Sequence, residues 1–423
     1  MEDRFNIFGI QEFTISLTRG NDTCITSPGG LRIKGAIDEK KLEKTIQKLV
    51  KESDAMRIVF EKDPQSGKLC QRVLDSYDYT LDLRQLEGSN EQEQSDSLEK
   101  DLYNVMKEVE YLPDGNVKWK CVLYRYSPED HGLWFIMSHC LADGISISNA
   151  LTRIVLRYNG MPLPPISSYI EYLKDQYALE TDPDCVQHRA EIQSSLNDHK
   201  SPADFSAMGK TEGKYREIVT LDIKELKSFA RSNKMSMFHC TLFMFHAAIA
   251  ATFKGKDTMI GVASDARKLK HLSSIGEYLT GYPDRNIFTD DTSMKEAAVA
   301  CKTRFLSESR KDYALYNCFR NGTEFVLAYQ KFGDDSKEIK FGKAKAVVYE
   351  DLDRYVKPFH WAALSLDAYE AADSLALMAG LDDDVFTEEV LGRLRKAFKL
   401  ANKVLSGSGD MTFGEFTAAV NED

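Results

Sequence analysis

Eight consecutive residues, Ser138-His139-Cys140-Leu141-Ala142-Asp143-Gly144-Ile145, bring an imidazole, a carboxylate and a glycine together. An imidazole that is neutral near pH 7 can take the proton of an attacking amine or alcohol. Asp143, four residues on, can fix the local loop through an ion pair. Gly144 lets the backbone bend and lets another molecule approach closely. The preceding run, Leu133-Trp134-Phe135-Ile136-Met137, is apolar and strand-like, and Ile147, Ala150, Leu151, Ile154 and Val155 then recur at helical spacing. His139 is therefore expected where a buried strand ends and a turn opens the ring to a cavity. The motif is short, and taken alone a histidine at the end of an apolar strand is more often a satisfied core residue than a catalyst.

Other reactive side chains fit less well. Adjacent strand residues point to opposite faces, so neither Cys140 nor Ser138 is expected to form a nucleophile pair with His139. Ser138 also lacks the Gly-x-Ser-x-Gly surroundings of a nucleophile elbow. His239 and His246 sit seven residues apart on one apolar helix with no third ligand at a sensible spacing, so helix packing is expected and no metal site is assigned. His360, beside Trp361, is read as core packing, with an approach to a substrate channel as the alternative.

The elements that must position the motif follow from periodicity and turn residues. Asp38 can cap a helix with the stripe Leu42, Ile46, Leu49 and Val50. Residues 56–61 and 69–74 read as paired strands, and 91–110 as a charged surface helix with one buried stripe. Residues 117–126 and 133–139 form the expected central hairpin. The tract 159–165 contains Gly160, Pro162, Pro164 and Pro165 and breaks regular structure. A helix is expected over 168–179, then a polar connecting stretch to 212. Strands at 215–221, 258–263, 343–350, 359–366 and 374–381, and helices at 224–232, 236–253 and 388–405, complete the pattern. This predicts an α/β (α+β) chain in three stretches: an N-terminal lobe at 1–165, a linker region at 166–212 and a C-terminal lobe at 213–423. It is not the strict βαβ rhythm of a doubly wound fold, and no glycine-rich phosphate loop appears.

At Ser138 to Gly144 the sequence resembles the His-His-x-x-x-Asp-Gly signature of condensation domains of nonribosomal peptide synthetases. The wider superfamily includes chloramphenicol acetyltransferase. The segments Gly30 to Asp38, Ala55-Met56-Arg57, Pro164-Pro165 with Tyr169-Ile170-Glu171-Tyr172, Gly261 to Arg267, Ile275-Gly276, Gly281-Tyr282 and Leu375-Ala376-Leu377 are similar to that family in order and spacing over nearly the whole chain. Ser138 replaces the first histidine of the pair. The Asn-Thr usually found near the second-lobe glycine-aromatic step is not evident, and the Asp-Phe-Gly-Trp-Gly motif of plant acyltransferases is absent.

The resemblance implies two chloramphenicol-acetyltransferase-like α/β sandwich lobes in a V, with His139 midway along a central tunnel. It implies that His139 is catalytic and that Asp143, Gly144 and Ser138 are structural at the site. Arg267 is the implied partner of Asp143, with Arg285 as second choice. Tyr282 and His360 are candidates for substrate contact. The implied reaction is amide (or ester) formation from an acyl or aminoacyl thioester on the phosphopantetheine arm of a carrier protein, with an amine or alcohol as acceptor. The chain itself then needs no bound cofactor. Two alternatives share the fold: a free-standing acyltransferase using acyl-coenzyme A, and a degenerate module that docks carrier proteins.

Composition sets the outer limits. The 423 residues are 43% hydrophobic, which is ample for a sizeable core. The 55 basic and 66 acidic side chains leave a net charge of −11, against a nucleic-acid surface. The 8 cysteines are scattered without a Cys-x-x-Cys pair, so neither a disulfide framework nor a zinc ribbon is expected. No apolar stretch reaches spanning length, and the charged start Met1-Glu2-Asp3-Arg4 lacks a signal segment. A cytoplasmic monomer is expected.

Overall fold

The computed structural model describes residues 4–7, 9–18, 25–110, 113–203, 205, 214–309, 324–331, 337–349, 362–381 and 384–422. The chain divides into two compact units, each threaded more than once by the chain. The first contains residues 1–178, 265–279 and 334–357, and the second contains 179–264, 280–333 and 358–423.

In the first unit a six-stranded sheet runs, in spatial order, Ile339–Phe341, Ala344–Val348, Thr26–Lys34, Asp130–Ser138, Trp119–Ser127 and Asp82–Gln85. Asp130–Ser138 is central and pairs antiparallel with both neighbours. All but its first residue are buried, which is why its sequence is apolar without alternation. The neighbouring strand carries Gly29, where an added Cβ would lie 2.4 Å from Ile147 Cγ2. The missing side chain lets the helix Gly144–Tyr158 pack directly on the sheet. A second helix, Glu39–Glu52, is capped by Asp38, which accepts from Lys41 N, and buries Leu42, Ile46, Leu49 and Val50. A small sheet of Arg4–Asn6, Leu69–Val73 and Ile58–Lys62 completes the strands described in this unit.

The second unit holds another six-stranded sheet, ordered Leu279–Ile287, Asp257–Asp265, Phe325–Lys331, Leu364–Glu370, Ser374–Leu381 and Lys214–Asp222. Its core helix, Met237–Phe253, is buried along nearly its whole length. Glu388–Ser406 packs beside it through Leu391, Leu394, Phe398, Ala401 and Leu405. Among the described residues no single helix is long and apolar enough to cross a membrane.

The contiguous division expected at 165 and 212 differs from these units. Residues 339–348, read as part of the C-terminal lobe, form a hairpin about Gly342 (φ +66°). That hairpin joins the first unit's sheet by pairing Lys345 with Lys34 and Val348 with Leu31. An edge strand's partner is chosen by distant backbone groups, which local patterning does not reveal. The expected polar stretch after 180 also contains a helix, Pro183–Leu196. Asp182 caps it, Pro183 opens it, and Cys185, Ile192 and Leu196 are buried. Few apolar residues and a weak stripe concealed it.

Candidate active site

His139 follows the last residue of the central strand. Its backbone N–H donates to Ile25 O at 3.0 Å, continuing the ladder one residue past Ser138. The imidazole is 30% exposed, and its Nδ1 lies 2.8 Å from Oε2 of Glu277, a residue with no exposure. The other carboxylate oxygen, Oε1, accepts from Leu279 N at 2.8 Å. Because the carboxylate accepts, Nδ1 carries the proton, and Nε2 is the remaining nitrogen of the neutral ring. Burial alone would lower the basicity of His139. The charge and hydrogen bond of Glu277 outweigh it and raise the pKa to about 9. Burial displaces Glu277 upward from the ordinary carboxylate value, against the pull of His139.

Asp143 occupies a different environment. It caps the helix Gly144–Tyr158, and Oδ1 accepts from Ser146 N at 2.8 Å. Arg267 grips both oxygens, with NH1 to Oδ2 and NH2 to Oδ1, each at 2.7 Å. Tyr278 N donates to Oδ2 at 3.1 Å. These four donors fill the carboxylate. The pair is buried, with side-chain exposures of 1% for Arg267 and 3% for Asp143. The guanidinium also lies over the ring of Tyr278. Arg285, the second choice, instead forks onto Asp257 and reaches Asp198.

Ser146, which the sequence reading did not single out, ties this loop to residues 276–278. Its Oγ donates to Gly276 O at 2.6 Å and accepts from Gly276 N at 3.0 Å. A Cβ on Gly276 would stand 2.2 Å from the ring of Tyr169, so only glycine lets that ring close on the segment. Tyr169 and Tyr172 pack in turn against Tyr278.

Gly144 departs from expectation. It is the first residue of its helix, has no positive φ, and an added Cβ would meet none of the described residues within 4 Å. The fold therefore does not demand glycine there, and the space before it is open. Ser138 is buried, with Oγ 3.1 Å from Cys140 Sγ, and its N–H continues the strand by donating to Lys118 O. The Cys140 thiol is buried and pushed up to about 12.

Tyr282 is a core residue of the second unit, 3% exposed, and its hydroxyl is donated to Glu308 at 2.5 Å. His360 lies outside the described residues. His239 completes a capping box with Ser236 at the start of Met237–Phe253. His246 is fully buried, with Nδ1 2.7 Å from Thr258 Oγ1 and Nε2 2.9 Å from Asp284 Oδ2. The donor atoms of His246, Asp284 and Cys301 lie within 4.8 Å of one another, a convergence their spacing does not announce. Arg304 donates to the same Asp284 oxygen at 2.8 Å, so a cation already balances that carboxylate and the cluster reads as a core network.

Glu277 is the residue that sequence reasoning missed. It directly follows the Ile275-Gly276 step, and nothing in its own spacing ties it to His139.

The family model described as "Condensation domain" matches residues 7–324. The hybrid PKS-NRPS synthetase pvhA of Talaromyces variabilis is 24% identical over 272 residues, covering 60% of this chain and 7% of that protein. Bacitracin synthase 3 of Bacillus licheniformis is 23% identical over 309 residues, covering 67% of this chain and 4% of that protein. The chain thus spans a small fraction of the curated relatives it matches. Among solved structures, the X-domain from teicoplanin biosynthesis, in complex with OxyB, aligns with a TM-score of 0.79 and 15% identity over 98% of this chain and 96% of that one. A variant starter condensation domain of rhizomide synthetase, in complex with C8-CoA and Leu-SNAC, aligns at 0.74 and 14% identity over 97% and 96%. These likenesses show the fold, which is chloramphenicol-acetyltransferase-like.

Proposed function

The chain belongs to the condensation-domain family, and on that premise we propose that it is a condensation-type acyltransferase. It joins an acyl or aminoacyl thioester, held on the phosphopantetheine of a carrier protein, to an amine or alcohol acceptor in nonribosomal peptide or related biosynthesis. The observation that carries this reading is the partly exposed His139, with Nδ1 engaged by a buried carboxylate. Its Nε2 is then the nitrogen free to meet a substrate.

The acceptor's lone pair attacks the thioester carbonyl carbon as Nε2 takes the acceptor's proton. Collapse of the tetrahedral adduct breaks the C–S bond, and the proton returns from Nε2 to the leaving sulfur. The new C–N or C–O bond replaces the C–S bond, so no redox partner is needed. Holding donor and acceptor together supplies proximity. The imidazolium formed midway is stabilised by Glu277. Only the neutral ring can take a proton, so the rate is expected to rise with pH until His139 is deprotonated, near 9. Open space before Gly144 suits close approach of a substrate. Asp143 and Arg267 hold the loop without touching the reaction.

A second reading takes acyl-coenzyme A as donor. It draws support from the similarly folded starter domain whose structure contains C8-CoA and Leu-SNAC. A third, docking without catalysis, draws on the X-domain seen with OxyB. Intact-mass spectrometry separates the three. Wild type and His139→Ala would each be mixed with acyl-loaded carrier protein, acyl-coenzyme A and a panel of amines and alcohols. Transfer from the carrier that collapses in the variant supports condensation. Transfer from coenzyme A alone favours the second reading. A folded but silent wild type that still binds carrier protein favours the third.

A further inference from the structure

We infer that Glu277 is the positioning residue of His139, and that the motif acid Asp143 serves to deliver it. The inference rests on the acyltransferase reading for its catalytic meaning, but its geometry stands independently.

Asp143 cannot itself orient the imidazole, because its two oxygens already accept from Arg267 twice, Ser146 N and Tyr278 N. Two of its neighbours in this network act on the chain around Glu277. Tyr278 is held through its N–H by Asp143, and Gly276 is held through both backbone groups by Ser146 Oγ. Glu277 lies between these two clamped residues, so its backbone has little freedom to withdraw. Its side chain is pinned at one oxygen by Leu279 N and meets Nδ1 of His139 with the other. Among the described residues, the charged groups around the pair leave it no competing side-chain cation. Arg267 is taken up by Asp143 and Asp265, and the surrounding Tyr169, Tyr172, Tyr278 and Cys140 are buried and held neutral by desolvation. A buried carboxylate in this position selects the Nδ1–H tautomer and turns Nε2 outward. It also neutralises the imidazolium when a proton arrives, the role an orienting carboxylate plays in a catalytic triad.

The test is Glu277→Gln, with His139 followed separately from the other histidines. Carbethoxylation of the His139-containing peptide, measured by mass spectrometry across pH, reports the neutral imidazole without any substrate. In wild type the reactive form should appear with a midpoint near 9. In Glu277→Gln it should move by more than about one pH unit toward the ordinary histidine value. Above the wild-type midpoint, where the ring is neutral in both proteins, the kcat of thioester transfer should fall at least about tenfold while KM for the loaded carrier stays within about twofold. Ser146→Ala leaves the carboxylate in place but loosens the clamp on Gly276, so it should move the midpoint in the same direction by less. It provides the reading if Glu277→Gln does not fold. A folded Glu277→Gln with unchanged midpoint and kcat overturns the inference and leaves the acyltransferase reading intact. A shifted midpoint in a protein whose wild type transfers nothing overturns the acyltransferase reading and supports the positioning role.

Discussion

Among the described residues, two histidine–carboxylate pairs, one in each compact unit, are nearly equal in length; a third, His199 with Asp257 at 3.1 Å in the second unit, is longer. His139 meets Glu277 at 2.8 Å in the first, and His246 meets Asp284 at 2.9 Å in the second. Their surroundings differ. His139 is 30% exposed, whereas His246 has no exposure. Arg304 shares Asp284, and Thr258 occupies the other ring nitrogen of His246. Glu277 has no second side-chain cation among the described residues, and Nε2 of His139 has no protein partner there. Burial holds His246 below the ordinary histidine value despite its aspartate, whereas the full pull of Glu277 raises His139. The pair distance is thus a poor guide to chemistry. What distinguishes the two is whether the carboxylate's charge is already spent and whether one ring nitrogen is left free.

The comparison breaks most visibly on activity. Folded His139→Ala should lower transfer by about 10²–10⁴-fold, whereas folded His246→Ala should keep wild-type kcat per active molecule. Quantitative transfer assays on both variants, with circular dichroism as control, decide this. The largest stability loss should come from neither histidine. Arg267→Ala leaves Asp143 buried and unpaired, and urea unfolding should show a loss of about 3–5 kcal/mol. Asp143→Asn should harm folding and rate together, since it weakens the clamp as well as the cap. His246→Ala removes one partner from a buried network and should cost about 1–3 kcal/mol in the same urea assay.

Acid and base should then separate the pairs by sign. His139 has a raised folded value, so the stability it contributes is fully present below about 6.5 and is lost as pH rises through about 9. His246 has a lowered folded value, so its contribution is present above about 6.5 and is lost on acidification below that. Urea midpoints across pH should therefore fall less on the alkaline side in His139→Ala than in wild type, and less on the acid side in His246→Ala. The smallest effect belongs to Gly144→Ala. Its Cβ meets none of the described residues, and a helical glycine is replaced, so stability should rise by up to about 1 kcal/mol. Transfer by the same variant should drop where substrate needs that space, as a KM measurement would show.

The strand that carries His139 and the helix that follows it were legible because period and apolar run are local properties of the chain. The same holds for the Asp38 cap and for the stripe from Leu391 to Leu405, both found as the pattern indicated. Arg267 came from likeness to a family, since nothing in its own spacing points at Asp143. Glu277 is not marked out by the sequence because a lone glutamate reads, by residue type, as surface. It becomes buried only when Tyr169, Tyr172 and Tyr278 close around its segment. The hairpin at 339–348 was assigned to the wrong half for a related reason, since strand partners are chosen by backbone groups far apart in sequence.

The sequence by itself determined that an imidazole stands at the end of a buried strand, four residues before a capping acid, because hydrophobic periodicity and capping act within one or two turns of chain. Only the tertiary structure decided which carboxylate faces that imidazole. Asp143, adjacent in sequence, is drawn into the Arg267 network. Glu277, distant in sequence, is clamped between Gly276 and Tyr278 and directed at Nδ1. Charge compensation in a buried site is settled by what lies within a few ångströms, not by what lies within a few residues.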